Sequence, residues 1–188
     1  MAAILEQAVP ILFEFEELGL PERFKKAEII GGNAIMSPLR AAHGQTIFQL
    51  QTQLAAQLPA EYWFVYDIAT PFVLEQHEYC PDVSVIPKAE AERNISICKP
   101  EWIEVVFEVI SPSTRLFDYG IKSEVYARAA IPEYVIFDPY SREATRLARP
   151  DAGRYTLREV IDYGKPVRIE EPFPLVIETA DLPVDPRD

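Results

Sequence analysis

The run from Trp102 to Ile110 is apolar except for Glu104 and Glu108. A strand that is apolar on both of its alternating faces belongs inside a sheet that is covered from two sides. Ser111-Pro112-Ser113-Thr114 follows and supplies helix-start side chains. From about Arg115 to Ala130 the residues Phe117, Ile121, Val125 and Ala129 recur at four-residue steps, which predicts a helix with one core-facing stripe. Glu133 to Phe137 is again strand-like. Strand, helix and strand in that order predict a crossover between neighbouring parallel strands of one sheet.

The other segments fit around that unit. Ile11 to Leu18 reads as a short helix, and Arg23 to Ile30 and Asn33 to Met36 as strands joined by a tight turn at Gly31-Gly32, with Pro38 ending the second. Between His43 and Leu58 the residues Ile47, Leu50, Leu54 and Leu58 recur at three- and four-residue steps opposite a row of glutamines, the pattern of an amphipathic helix. Tyr62 to Asp67, Pro71 to Glu75 and Asp82 to Ile86 read as short strands, as do Ala144 to Leu147, Arg154 to Arg158 and Val167 to Glu170. Seventeen prolines punctuate a chain without internal repeats or low-complexity tracts. The expected class is α/β, a mixed β-sheet flanked by helices with extra β-hairpins.

Composition narrows the function. At 188 residues the chain is long enough to bury about 70% of the surface it would expose unfolded, without a disulfide or metal staple. Cys80 and Cys98 form neither a C-x-x-C pair nor a secreted framework, and with His43 and His77 they match no zinc-ligand spacing, so they read as buried thiols. The amino terminus has no basic segment before an apolar run, and no stretch approaches the roughly 18 apolar residues of a membrane span. A cytoplasmic protein is expected. The 18 Lys+Arg against 30 Asp+Glu give a net charge of −12, which argues against coating nucleic acid by bulk electrostatics. Local cations remain: residues 139–168 hold seven Lys+Arg against four acids, and 169–188 hold one against six. Any nucleic-acid contact is therefore expected between Arg142 and Lys165, through residues such as Arg146 and Arg154.

Two acids stand in apolar strands, where a charge is costly unless paired or metal-bound: Asp82 and Glu108. Glu108 lies near the carboxyl end of its strand, where α/β sheets place ligands. Asp82 by itself reads equally as the start of a strand or a turn cap. Lys122 lies on the following helix with Asp118 one turn before and Tyr126 one turn after, on a face distinct from the apolar stripe. Taken alone, Asp118 and Lys122 read as an exposed i,i+4 pair. Taken with Asp82 and Glu108, they suggest two carboxylates holding Mg²⁺ while an ammonium positions the attacking water, an arrangement that hydrolyses phosphodiesters.

Several segments together carry a resemblance. Ala27-Glu28-Ile29-Ile30-Gly31-Gly32 with Met36-Ser37-Pro38 and His43, then Pro81-Asp82-Val83-Ser84-Val85-Ile86, Glu108-Val109-Ile110-Ser111-Pro112-Ser113-Thr114, Asp118 with Lys122 and Tyr126, and Ile131-Pro132-Glu133-Tyr134 with Asp138-Pro139 resemble the Uma family, described as restriction endonucleases. The resemblance spans roughly residues 12–175. It places the chain in the PD-(D/E)XK nuclease superfamily and implies one restriction-endonuclease-like domain over 1–188, with its core at about 12–175 and an acidic C-terminal tail. It implies Asp82 and Glu108 as metal ligands, with the Val109 backbone carbonyl as a third, and Mg²⁺ or Mn²⁺ as cofactor. The superfamily's lysine usually stands two residues after the acid, where this chain has Ile110. The resemblance implies that Lys122 takes its place, so that Lys122→Ala removes turnover with little effect on stability. His43 and Glu28 match recurrent family positions as auxiliaries to the site, and read equally as a helix-start polar residue and a strand-edge acid.

The implied activity is Mg²⁺-dependent hydrolysis of DNA phosphodiester bonds by Asp82, Glu108 and Lys122. The implied assembly is a homodimer, to which Tyr62, Trp63 and Tyr66 offer aromatic surface. The alternative is a catalytically silent dimeric binding or scaffold module in which the three residues satisfy one another. A serine nucleophile is disfavoured, because Ser84 and Ser111 lie in no G-x-S-x-G elbow.

Overall fold

The computed structural model describes residues 28–30, 33–35, 40–112 and 114–185. In chain order the elements are β1 (Glu28–Ile30), β2 (Asn33–Ile35), α1 (Ala41–Gln57), β3 (Tyr62–Val65), β4 (Thr70–Phe72), β5 (His77–Tyr79), β6 (Val83–Pro87), α2 (Lys88–Ala91), β7 (Val105–Val109), α3 (Arg115–Tyr119), α4 (Ile121–Arg128), β8 (Glu133–Asp138), β9 (Glu143–Asp151), β10 (Arg154–Asp162), β11 (Val167–Ile169) and β12 (Leu175–Ile177). The helix expected at Ile11 to Leu18 and the Gly31-Gly32 turn lie outside the described residues, although β1 and β2 pair antiparallel with Ile30 opposite Asn33.

The two most apolar strands, β7 and β8, lie side by side and parallel in a six-stranded sheet of order β10-β9-β8-β7-β6-β3. Every residue of both is buried. The crossover between them is α3–α4, as the strand-helix-strand order requires. The other pairs of this sheet are antiparallel, and a four-stranded sheet β2-β1-β5-β4 and the hairpin β11-β12 complete the architecture. The fold is thus mixed α/β with a mostly antiparallel central sheet, in agreement with the expected class.

Strand alternation divides the core in two. One face of the sheet (Val83, Val85, Val105, Phe107, Val135) packs against Leu50 and Leu54 of α1 and against the β11-β12 segment. The other (Ile86, Val106, Ile110, Ile136) packs against Val125 and Tyr126 of α4 and against Ile30, Phe72 and Tyr79 of the smaller sheet. Burial of each such side chain stabilises the fold by about 1.5–3 kcal/mol.

The glutamines of α1 have a specific use. Gln53 donates from Nε2 to the Glu178 carbonyl at 3.1 Å and accepts from the Glu178 N–H at 2.7 Å. Gln57 does the same for Val176, at 2.9 Å in both directions. Two side-chain amides thereby satisfy backbone groups of and beside β12 as a neighbouring strand would.

Three differences from the sequence reading have physical causes. The helix expected from Arg115 to Ala130 breaks at Gly120, where an added Cβ would stand 2.7 Å from the Leu116 carbonyl oxygen. The strands β5 and β12, three residues each, are too short to leave a periodic signal. The acidic C-terminal tail does not begin at 175: Ile177 and Leu182 belong to the core, and Asp185 pairs with Arg40 at 3.1 Å. No helix among the described residues is long and apolar enough to cross a membrane.

Candidate active site

The antiparallel register of β6 and β7 sets Val83 opposite Phe107, and one further step sets Asp82 opposite Glu108. Directly opposed residues share a face of the sheet. The two acids accordingly meet: the Asp82 N–H donates to Glu108 Oε2 at 3.3 Å, and the Val109 N–H donates to Asp82 Oδ2 at 2.8 Å. Both residues are 2% exposed. Val109 meets the pair through its N–H.

Lys122 comes from α4 into the same cluster. Its Nζ donates to Glu108 Oε1 and to Glu28 Oε1, each at 3.0 Å, and lies 3.0 Å from Asp118 Oδ1. It also stands 5.5 Å from the centre of the Tyr79 ring. Lys122 is 1% exposed, so of the two readings of the Asp118–Lys122 pair the exposed one does not hold. The apolar stripe contributes less than expected: Phe117, Ile121 and Ala129 are half-buried, while Asp118, Lys122 and Tyr126 are the buried side of the helices. A polar face turns inward here because acids from β1 and β7 meet it.

Burial by itself pulls the Lys122 ammonium downward, but Asp118, Glu108 and Glu28 together outweigh it and hold the group well above the ordinary lysine value. Lys122 is therefore a cationic donor at neutral pH and a poor proton acceptor. The Tyr126 hydroxyl donates to Glu108 Oε1 at 3.0 Å. Burial, with the Glu108 charge adding to it, pushes this phenol well above its usual value. Asp82 has a second neighbour, His43 of α1, whose Nε2 lies 3.2 Å from Asp82 Oδ1. Glu28 also accepts from the Cys80 N–H at 3.1 Å.

Asp82, Glu108, Lys122, Val109, His43 and Glu28 are thus brought together. The sequence pattern sets Asp118 and Tyr126 beside Lys122 without assigning them to the site, and it gives no sign of Tyr79. The shared helix face of residues 118, 122 and 126 was the available signal; Tyr79 left none.

Among the described residues, no group of three or more His, Cys, Asp or Glu side chains is arranged to hold one metal ion. The donor set on offer is instead the Asp82–Glu108 pair. One or two carboxylates supplemented by backbone oxygen and water is how proteins hold Mg²⁺, and an all-oxygen set suits a hard cation. In this respect the residues fit the ion.

The basic stretch divides differently from the expectation. Arg146 is 9% exposed and forks onto Glu133, through Nε at 2.9 Å and Nη2 at 2.7 Å, while Nη1 reaches Glu159 at 2.9 Å. A guanidinium committed to two carboxylates is not available to a phosphate. Arg142, Arg154 and Arg158 are exposed. A cleft of about 400 Å³ lies between α3–α4 and β9–β10, with Arg115, Tyr119, Thr145 and Arg158 in its lining. Of the aromatic candidates, Trp63 and Tyr66 are 46% and 58% exposed, whereas Tyr62 packs on Phe173 with ring centres 4.6 Å apart.

The fold has a counterpart in a solved structure, described as a putative nuclease belonging to DUF820 from Anabaena variabilis. It aligns with a TM-score of 0.65 at 18% identity, over 86% of this chain and 88% of that one. At that identity the likeness establishes the fold. The sequence model of the Uma2 family, described as "Putative restriction endonuclease", matches residues 13–185. The chain belongs to the Uma2 family. No curated protein matches it.

Proposed function

We propose that this chain is a divalent-metal-dependent endonuclease that hydrolyses DNA phosphodiester bonds, with Asp82, Glu108 and Lys122 as its catalytic residues. The observation that carries the reading is the meeting of a cross-strand carboxylate pair with one buried ammonium: Glu108 takes the Lys122 ammonium on Oε1 and the Asp82 N–H on Oε2. Asp82 and Glu108 would hold Mg²⁺ or Mn²⁺, with the Val109 carbonyl as a backbone ligand, and the ion would polarise the phosphoryl oxygen and acidify a water. Lys122, held cationic, offers N–H donors to the attacking water and to the charge that develops on phosphorus. His43 orients Asp82, and Glu28 helps to fix the Lys122 ammonium. Membership of a family described as restriction endonucleases supports the nuclease class.

In the same reading the protein acts in the cytoplasm as a single domain and as a homodimer, two sites serving the two strands of a duplex. Trp63 and Tyr66 are exposed aromatic surface for that contact. A second reading, the silent dimeric binding or scaffold module, is favoured by one observation: the same three residues are at most 2% exposed and bonded to one another. Calorimetric titration with Mn²⁺ separates the two. An endonuclease binds the ion stoichiometrically and loses it in Asp82→Asn; a silent module shows no binding that depends on Asp82.

A further inference from the structure

Glu108 has two carboxylate oxygens with different neighbours. Oε1 accepts from Lys122 Nζ and from the Tyr126 hydroxyl, each at 3.0 Å. Oε2 is the oxygen turned to the Asp82 N–H, at 3.3 Å. A carboxylate oxygen carries two lone pairs, so two donors on Oε1 occupy that oxygen and leave Oε2 as the one presented toward Asp82.

The position of the second donor is well determined. Tyr126 follows Lys122 by one turn of α4, which brings both side chains to the same oxygen. Its ring is 0% exposed and packs edge-on to Tyr79, with centres 5.6 Å apart at 88°, and to Tyr134, at 4.9 Å and 78°. Phe72 closes another side at 5.5 Å. A phenol caged in this way cannot swing its hydroxyl elsewhere without moving three aromatic neighbours. Lys122 divides its ammonium among Glu28, Glu108 and Asp118, each at 3.0 Å, whereas the Tyr126 hydroxyl is directed at Glu108 Oε1.

We infer that Tyr126 is a positioning residue for the metal site: by holding Glu108 Oε1, its hydroxyl sets the carboxylate rotation that aims Oε2 at the ion shared with Asp82. The inference rests on the metal reading proposed above and deepens it. Groups that orient a ligand from behind characteristically change metal affinity about 10- to 100-fold when removed.

The test uses the full-length chain and Mn²⁺, with binding read by titration calorimetry and folding by thermal melting. Tyr126→Phe keeps the ring and its packing and deletes the donor. Tyr134→Phe is the control: that hydroxyl is equally buried but donates to the Asp118 backbone carbonyl at 3.0 Å, so its loss costs a buried hydrogen bond without touching Glu108. The expected result is Mn²⁺ affinity about 10- to 100-fold weaker in Tyr126→Phe and unchanged in Tyr134→Phe. Replacement of Tyr126 by 4-aminophenylalanine, which restores an N–H donor at the same place, should recover the affinity even if Tyr126→Phe melts early. Wild-type affinity in Tyr126→Phe, or equal losses in the two Phe variants, would overturn the positioning role and leave the metal site standing. Absence of Mn²⁺ binding by the wild type would overturn both.

Discussion

Lys122 Nζ meets Glu108 Oε1 at 3.0 Å across 14 residues of chain, and the contact exists because α3–α4 returns over the strand that precedes it. The crossover that makes β7 and β8 parallel neighbours is thus the device that carries an ammonium back to the acid on β7. Buried at 1% exposure among three carboxylates, Lys122 has a structural role as well as its proposed chemical one.

Lys122→Ala should therefore be strongly destabilising, by about 3–5 kcal/mol, because it strands Glu28, Glu108 and Asp118 without their cation. This revises the expectation that stability would be little changed. Urea denaturation measures the loss. Adding Asp118→Asn and Glu28→Gln to Lys122→Met should recover part of it, and a wild-type midpoint in Lys122→Ala would show that the carboxylates do not depend on the ammonium.

Much of this was legible in the sequence, and the limits are physical. Asp82 and Glu108 stood out because a charge in an apolar strand demands a partner, and a period-two pattern fixes which face it occupies. The parallel pair followed from the order of strand and helix. The burial of Asp118 and Lys122 was not legible, because hydrophobic periodicity ranks Phe117 and Ile121 as the inner stripe and is blind to acids arriving from β1 and β7. The commitment of Arg146 to Glu133 is likewise a cross-strand relationship between residues 13 positions apart, which local charge counting cannot detect.

Alkaline pH should unfold the protein cooperatively. Burial raises the phenols of Tyr79, Tyr126, Tyr134 and Tyr155 above the ordinary value. A group whose folded value exceeds its unfolded value near 10 stabilises the fold fully below about pH 10, and that contribution is lost as pH rises through the folded value. Lys122 acts in the same direction above about pH 10.5. Tyrosinate absorbance from these four buried phenols should rise only together with loss of ellipticity. Independent, non-cooperative titration of all the tyrosines near pH 10 would contradict their burial.

Cys98 is 1% exposed, and burial pushes its thiol up to about 12. A thiol-reactive probe at pH 8 should leave Cys98 unlabelled in the folded protein and modify it after urea unfolding, as peptide mapping would report. Labelling of native Cys98 at the rate seen in urea would show that this part of the core is open.

DNA affinity should depend on exposed cations and not on Arg146. Arg142→Gln, Arg154→Gln and Arg158→Gln together should weaken binding and flatten its salt dependence, each lost phosphate contact reducing the slope by about 0.9. Arg146→Gln should instead lower the melting temperature, by stranding Glu133. An unchanged salt slope in the triple variant would move the contact surface elsewhere.

Plasmid cleavage tests most directly the proposed role of Asp82 and Glu108 in metal-dependent cleavage of DNA. Supercoiled and linear duplex DNA are incubated with wild type, Asp82→Asn and Glu108→Gln, purified in parallel, in Mg²⁺, in Mn²⁺ and in EDTA. Nicked or linear product from the wild type alone, present with either ion and absent in EDTA, is the predicted result. Cleavage that persists in EDTA or in both variants, or a wild type that leaves every substrate intact with both ions, would contradict the assignment.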